Sequence, residues 1–307
     1  MRLTKRELLA DGLLLLTALI WGSAFAIVKN SLDSFAPSAL VAMRYIIATP
    51  LSALVFARHL RGLTKEDWLR GALVGVILGA AYIVQTVGLT ATTAGKNAFL
   101  TAVYVLLVPF FGLVLFKQKL GRANFIAAGL MLLGIGALSL DGEAGGLNRG
   151  DWLTLLCSAL FAAHIIAVER CQKKTNAYAL IVLQFAFCGL TSGVYSLLFE
   201  RGMPMAFTKS SVTGLLYLAV CSTTVGMSLQ NIGQSMAPSS HASILLSLES
   251  VFGVLFSCLL LGETVSGKMM LGFVMIFLAV LVSEMAPKHT GGGEQVAHAE
   301  AAHRIDN

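Results

Sequence analysis

Runs of about 20 apolar residues, separated by short polar stretches, recur along the whole 307-residue chain. A helix rises 1.5 Å per residue, so about 20 such residues cross a hydrocarbon core of about 30 Å. Ten runs come close to that length, at about 12–28, 38–56, 68–88, 98–116 and 124–140, then 152–168, 178–199, 214–233, 242–261 and 268–284. In lipid the backbone N–H and C=O groups must find partners within the protein, and a helix supplies them inside its own segment. The pattern predicts an all-α polytopic membrane protein of ten transmembrane helices.

Composition sharpens this expectation. Hydrophobic residues make up 56% of the chain and charged residues 12%, against about 45–50% and about 25% in soluble domains. Mean hydropathy is +0.79. Such a chain has too little charge to cover a soluble surface, so the expected surroundings are the lipid bilayer. The net charge of +6 would hint at nucleic acid in a soluble protein. Here the basic residues sit in short loops and report topology instead, and no nucleic-acid partner is expected. Fifteen of them, among them Arg2, Lys5, Arg58, Arg61, Arg122, Arg170 and Lys173, fall on the side of the termini, against six on the other. The positive-inside rule then puts both termini in the cytoplasm; the expected location is the cell (plasma) membrane.

Arg2, Lys5 and Arg6 ahead of an apolar run that ends near Ala24-Phe25-Ala26 resemble a cleavable leader. The repeat described next needs this segment as a helix, so it is expected to stay. The five cysteines form no CxxC pair and read as packing residues. Residues 286–307 have no apolar period and are expected to be a disordered cytoplasmic tail; His298 and His303 there lack further ligands, so no metal site is expected.

The chain also repeats internally. Shifted by 140 residues, 11–56 lies on 151–196, with Trp21 on Phe161 and Arg44 on Gln184. Shifted by 145, 68–140 lies on 213–285, with Gln85 on Gln230, Tyr104 on Glu249 and Lys96 on His241. The expected domains are a first five-helix repeat at 1–140 and a second at 151–285. Five is odd, so the second repeat starts on the opposite face of the membrane and the two are inverted. Inverted repeats recur in secondary transporters, with the substrate held between them near the midplane.

Several segments carry a resemblance: Leu19-Ile20-Trp21-Gly22-Ser23-Ala24-Phe25, Thr92-Thr93-Ala94-Gly95-Lys96, Phe99-Leu100-Thr101-Ala102-Val103-Tyr104-Val105 and Leu261-Gly262-Glu263. In order and spacing the chain resembles the EamA branch of the drug/metabolite transporter superfamily, over nearly its whole length to about Ser283. The resemblance implies ten helices, a central cavity between the halves, and export or exchange of metabolites such as amino acids. Members commonly carry proline after the glutamate of the ninth helix; here that position is Ser250, which puts any kink there in doubt.

Polar residues inside the spans are the candidates for chemistry. Asn97, Thr101 and Tyr104 lie at i, i+4 and i+7 of the fourth span, on one helical face. Glu249 lies about 10 Å into the ninth. A charge that deep costs about 2.5–3.5 kcal/mol on insertion scales, so it should face a cavity or a partner. It reads either as a helix-locking carboxyl or as a group for substrate amines or coupling protons. Gln85 and Gln230, at matching places, suit a polar solute or helix bridging equally. Tyr82 lies one turn before Gln85. His164 reads as a proton relay, a ligand or a satisfied structural histidine, and Trp21 and Phe161 as cavity walls or packing. Arg44 lies about 10 Å into the second span and reads mainly as structural, snorkelling or paired with a carboxylate. Lys96 starts a helix, where a cation opposes the dipole, so it should be solvated or have an anionic partner. Two stripes of small residues, Gly71/Gly75/Gly79 and Gly95/Ala98/Ala102 with its mates Ser240/Ser243/Ser247, read as close helix contacts.

No GxSxG elbow, HExxH or GxxxxGK[ST] motif occurs, so hydrolase chemistry and ATP-driven pumping are not supported. The expected function is a secondary-active transporter, not an enzyme, taking a small-molecule substrate with protons as a candidate co-substrate and no cofactor. A membrane sensor or an intramembrane enzyme is the alternative. The inverted repeat favours transport, because it gives a transporter a reason for its symmetry.

Overall fold

The structure is a computed structural model, and it describes residues 5–117, 120–139, 146–203, 205–236 and 239–285. The expected disordered tail, the loop at 237–238 and the side chains of Ser240, His241 and Ser243 lie outside the described residues. Among the described residues the chain is helical, with one isolated bridge between Phe35 and Met205.

Ten membrane segments follow one another. The first half holds α1 (Lys5–Ser31), α2 (Pro37–Val55), α3 (Lys65–Leu89), a fourth span split into α4 (Ala94–Thr101) and α5 (Tyr104–Phe116), and α6 (Arg122–Ser139). The second holds α7 (Arg149–Gln172), α8 (Ala177–Phe199), an eighth span in three pieces, α11 (Ser239–Leu261) and α12 (Gly267–Met285). Those three pieces are α9 (Lys209–Leu216), a π-helix over Tyr217–Val225, and α10 (Gly226–Met236). Eight of the ten spans are long and apolar enough to cross a bilayer, and 122–138 and 267–283 are shorter apolar helices.

Local sequence sets the helix starts. Thr64 with Asp67 and Asn148 with Asp151 form capping boxes, and Thr93 and Asn176 cap α4 and α8. Pro37 opens α2, where its missing N–H costs nothing. The other early N–H groups of α2, on Ser38 and Ala39, go to the carboxylate of Glu200 from the end of α8.

Two interruptions depart from the sequence expectation of unbroken spans. Between Thr101 and Tyr104 the chain tightens, with Val103 N–H bonded to Leu100 O and Leu106 N–H to Val103 O. Pro109 follows within α5; proline has no N–H and crowds the carbonyl four residues back, which disturbs the ladder just ahead of it. Its repeat mate is Val254, and α11 runs through the matching region unbroken. In the eighth span the ladder instead loosens into the π-helix, while the matching stretch of α3 stays regular. Each half therefore breaks one span, and not the same one.

The halves interlock about a pseudo-two-fold relation. α2 packs on its repeat mate α8, and α6 on its mate α12. α1 lies along α10 and α11 of the other half, and reciprocally α7 lies along α3, α4 and α5. Apolar clusters fill these seams. Phe99, Leu106, Met131, Phe273 and Ile276 join α4, α5, α6 and α12, with the Phe99 and Phe273 rings stacked at 4.5 Å. Tyr45, Leu78 and Phe185 join α2, α3 and α8.

The small-residue stripes lie where close contact was expected. Gly71, Gly75 and Gly79 of α3 face Leu183, Phe187 and Thr191 of α8. Gly253 of α11 abuts Ala98, and Gly95 lies against Val254 and Ser257. The cysteines Cys157, Cys171, Cys188, Cys221 and Cys258 are free.

A Cβ at Gly75 would lie 2.5 Å from Phe187 Cβ and 2.7 Å from Gln184 O, whereas at Gly129 it would meet nothing within 4 Å. Gly75→Ala should therefore destabilise the protein by about 1–3 kcal/mol. Gly129→Ala should leave stability unchanged or raise it. Thermal unfolding in detergent compares the two, and equal midpoints would contradict the α3–α8 packing.

Candidate functional site

The interlocked halves leave a central cavity of about 250 Å³. It takes walls from both repeats: α1 to α5 on one side, and α7, α8, the π-helix, α10 and α11 on the other. All the sequence-selected candidates reach it. Trp21, Tyr82, Gln85 and the trio Asn97, Thr101 and Tyr104 come from the first half, and His164, Gln230 and Glu249 from the second. The break between Thr101 and Tyr104 leaves both on the cavity, so the predicted grouping holds although the single helix behind it does not.

Their polar atoms form short chains. Gln85 Nε2 donates to Thr101 Oγ1 at 3.0 Å, and Thr101 Oγ1 lies 3.8 Å from Cys157 Sγ. Asn97 Nδ2 donates to Thr154 Oγ1 at 2.8 Å, while its buried Oδ1 has no partner among the described residues. His164 Nε2 meets Gln184 Oε1 at 2.8 Å. Trp21 Nε1–H donates to the carbonyl of Ser222 at 2.9 Å, and a Cβ at Gly226 would come within 2.6 Å of that nitrogen. Trp21 thus both walls the cavity and fastens α1 to the π-helix. Rings complete the wall, with Tyr82 edge-on to Phe161 at 5.2 Å and Tyr45 edge-on to Phe185 at the same separation.

Arg44 reads from the sequence as mainly structural, snorkelling or paired with a carboxylate. In the structure it is 7% exposed, its head turned inward. Nε donates to Thr223 Oγ1 at 2.6 Å and Nη2 to Ser222 Oγ at 3.1 Å. The guanidinium lies 5.2 Å from the ring centre of Tyr82 and 5.6 Å from that of Tyr45. Among the described residues no carboxylate pairs with it. Arg44, Tyr45, Ser222 and Thr223 all line the cavity. A signal for Arg44 was present, since its repeat mate Gln184 is also a polar residue within a span. The two hydroxyls gave none, because serine and threonine inside a span usually bond their own helix. Thr223 does so as well, donating to Leu218 O at 2.8 Å.

Other charges gather on one rim, around the turn from α3 to α4, with Lys96 and Asp151 buried and Lys29 and Glu263 half-buried. Lys29 Nζ donates to the carbonyls of Leu89 (2.6 Å) and Thr92 (2.8 Å), at the negative end of α3. Glu263 accepts from the N–H groups of Ala94 (2.8 Å) and Gly95 (3.1 Å), at the positive end of α4. Asp151, fully buried, accepts from Thr92 Oγ1 and lies 3.8 Å from Lys96 Nζ. Lys96 therefore has the anionic partner that its place at a helix start called for. Near this rim the lining residues Thr86, Leu89 and Asn97 are buried.

A model of the EamA-like transporter family matches residues 8–140 and again 148–285, covering both halves. The chain belongs to the EamA-like transporter family. An uncharacterized transporter of Archaeoglobus fulgidus is 33% identical over 90% of this chain and 86% of its own length. A probable amino-acid metabolite efflux pump of Salmonella typhimurium is 24% identical over 89% and 94%. The uncharacterized inner membrane transporter YedA of Escherichia coli is 25% identical over 89% and 90%. A solved crystal structure shares the fold, with a TM-score of 0.61 at 19% identity, covering 89% of this chain and 96% of that one. This EamA-like chain is thus a multi-pass membrane transporter of two repeats, and the central cavity is the place where its halves meet around polar groups.

The rim generates a stability test. Asp151→Ala removes the partner of Thr92, of Lys96 and of the Asn148 backbone N–H together. With the ion pair at 3.8 Å, the loss should fall at the low end of the about 3–5 kcal/mol typical of broken buried pairs. Glu263→Ala removes a helix-end acceptor and an opposite charge near the half-buried Lys29, and should cost about 1 kcal/mol. Thermal midpoints of the two variants should differ in that order; the reverse order would place the rim's anchor at Glu263.

Proposed function

We propose that this protein is a secondary-active exporter or exchanger of small organic metabolites such as amino acids, working by alternating access. The observation that carries the reading is the central cavity itself: inverted halves enclose one space whose polar and charged groups come from both. Such halves can rock about a fixed site and open it to each side in turn. A cavity of about 250 Å³ lies just below the range of drug-sized ligand pockets and suits a small metabolite. The name of the Salmonella relative, an amino-acid metabolite efflux pump, supports the substrate class.

In this reading the protein is a carrier and not an enzyme, sits in the plasma membrane with both termini cytoplasmic, and acts on a solute with protons as a candidate co-substrate. Glu249 contributes a carboxyl to the cavity and has no hydrogen-bond or ion-pair partner there among the described residues. It is therefore available to a solute amine or a proton.

The test is counterflow of a labelled amino-acid pool by purified protein in liposomes, with and without a pH gradient. Wild type should accumulate label. Glu249→Gln should slow uptake at least about tenfold, equivalent to about 1.4 kcal/mol of transition-state stabilisation. Full activity in Glu249→Gln would return this carboxyl to a structural role. No uptake of any pool member by folded wild-type protein would overturn the amino-acid reading.

A further inference from the structure

We infer that the cavity recognises its solute at two charged points, Arg44 taking a carboxylate and Glu249 an ammonium, so that it selects zwitterions over their singly charged analogues. The inference rests on the transport reading above and adds to it the groups that read each end of the solute.

Three observations carry it. First, both charges line the same cavity, yet no ion pair joins them, and neither has another partner of opposite charge among the described residues. The charges at the cavity rim are handled otherwise. Lys96 has Asp151, Glu263 has two helix-end N–H groups, and Lys29 has two carbonyls. Arg44, held only by neutral hydroxyls and rings, and Glu249 are the two among these that face the cavity with neither an opposite charge nor a helix end set against them.

Second, the guanidinium is fixed in place but not used up. Of its five N–H donors two are taken, by Thr223 and Ser222, and three remain, both of Nη1 among them. Tyr45 and Tyr82 hold its plane from the sides. A planar, permanently charged fork with free parallel donors is the group that matches a carboxylate in two-point geometry. The hydroxyls that fix it come from the π-helix, and such irregular turns often accompany functional sites.

Third, the repeat shows that the scaffold does not require either charge. At the place matching Arg44 the second half carries Gln184, and at the place matching Glu249 the first half carries Tyr104. Both mates also line the cavity. The same backbone position is filled without charge in the other copy, so packing alone does not explain the arginine or the glutamate. The two charges also come from opposite halves, one cation and one anion facing a single space.

Matched triplets test this: an α-amino acid, the amine left by its decarboxylation, and the acid left by its deamination, all with one side chain. Each competes for counterflow of the best labelled solute. In wild type the amino acid should compete at least about tenfold better than either analogue. Arg44→Gln should weaken the amino acid about tenfold or more while leaving the amine unchanged or improved. Glu249→Gln should weaken the amino acid similarly while leaving the acid unchanged or improved. Size-exclusion profiles and thermal midpoints verify that both variants fold.

If the amine or the acid competes as well as the amino acid in wild type, two-point recognition is wrong, whatever the variants do, while transport stands. Two-point recognition fails equally if each folded variant shifts all three compounds by one common factor. Absence of counterflow for every solute class in folded wild type would instead remove the transport reading, and this inference with it.

Discussion

Lipid offers an ion neither hydrogen bonds nor a high dielectric, and this constraint organises the structure more than any apolar contact does. A charge in a span must find a partner inside the protein, reach the interface, or face an internal space. The helix ends meet the demand repeatedly. Glu200 goes to the first N–H groups of α2, Glu263 to those of α4, and Lys29 to the last carbonyls of α3. Each such contact satisfies backbone groups that the helix leaves open and sets a side-chain charge against the dipole end of opposite sign. Each also ties one half to the other or one hairpin to the next, so the loops acquire fixed positions from the same interactions that neutralise the ions.

The packing of the halves follows from a second need. Without a hydrophobic drive between helices in lipid, association depends on close approach, and close approach needs small side chains. Gly75 of α3 admits Phe187 of α8, and Gly22 of α1 admits Phe252 and the Glu249 backbone of α11. These contacts draw α3 and α1 into the opposite half, and the cavity is the space left between the crossed pairs. Its wall is then lined by repeat mates: Trp21 with Phe161, Gln85 with Gln230, Tyr45 with Phe185, Arg44 with Gln184. The scaffold around the cavity is thus near-symmetric, while the chemistry set on it is not.

Much of this was legible in the sequence because it depends on residue type at a fixed period. Ten apolar runs, an inverted repeat and the close contacts at Gly71, Gly75, Gly79, Gly95 and Ala98 survive in the structure. The candidate polar residues converge on one cavity for a simple reason: an uncharged amide or a carboxyl within a span has few other places to go. Arg44 was less legible because its long stem gives a cation about 10 Å from a helix end the option of snorkelling, and only the fold shows that option closed. The irregular backbone was hidden too. A π-turn needs no particular residue type, and the hydroxyls of Ser222, Thr223 and Thr224 can bond their own helix, so Tyr217–Val225 looked like any other span segment. The break at Ala102–Val103 had no clear signal either: Pro109 crowds the carbonyl of Val105, beyond the break, and proline in a span is often tolerated by a gentle kink.

The two irregular stretches bear on how a charged cavity can exist in a symmetric scaffold. A regular helix uses its backbone groups along its own axis and presents only side chains sideways. The π-helix departs from that pattern, and there the carbonyl and hydroxyl of Ser222 and the hydroxyl of Thr223 meet Trp21 and Arg44 across the interface. The first half has no such segment at the matching place in α3, and the second half's mate of Arg44 is the neutral Gln184, which meets His164. The cation and the irregular turn that holds it therefore belong together, one from each half. Glu249 lies on α11, which runs regularly where its mate α4–α5 is broken. Since the arginine belongs to one half and the glutamate to the other, an occupant engaging both would bridge the halves. Its affinity would then depend on how the halves are set relative to each other, and only such a difference in affinity between two arrangements lets a solute bias the passage from one to the other.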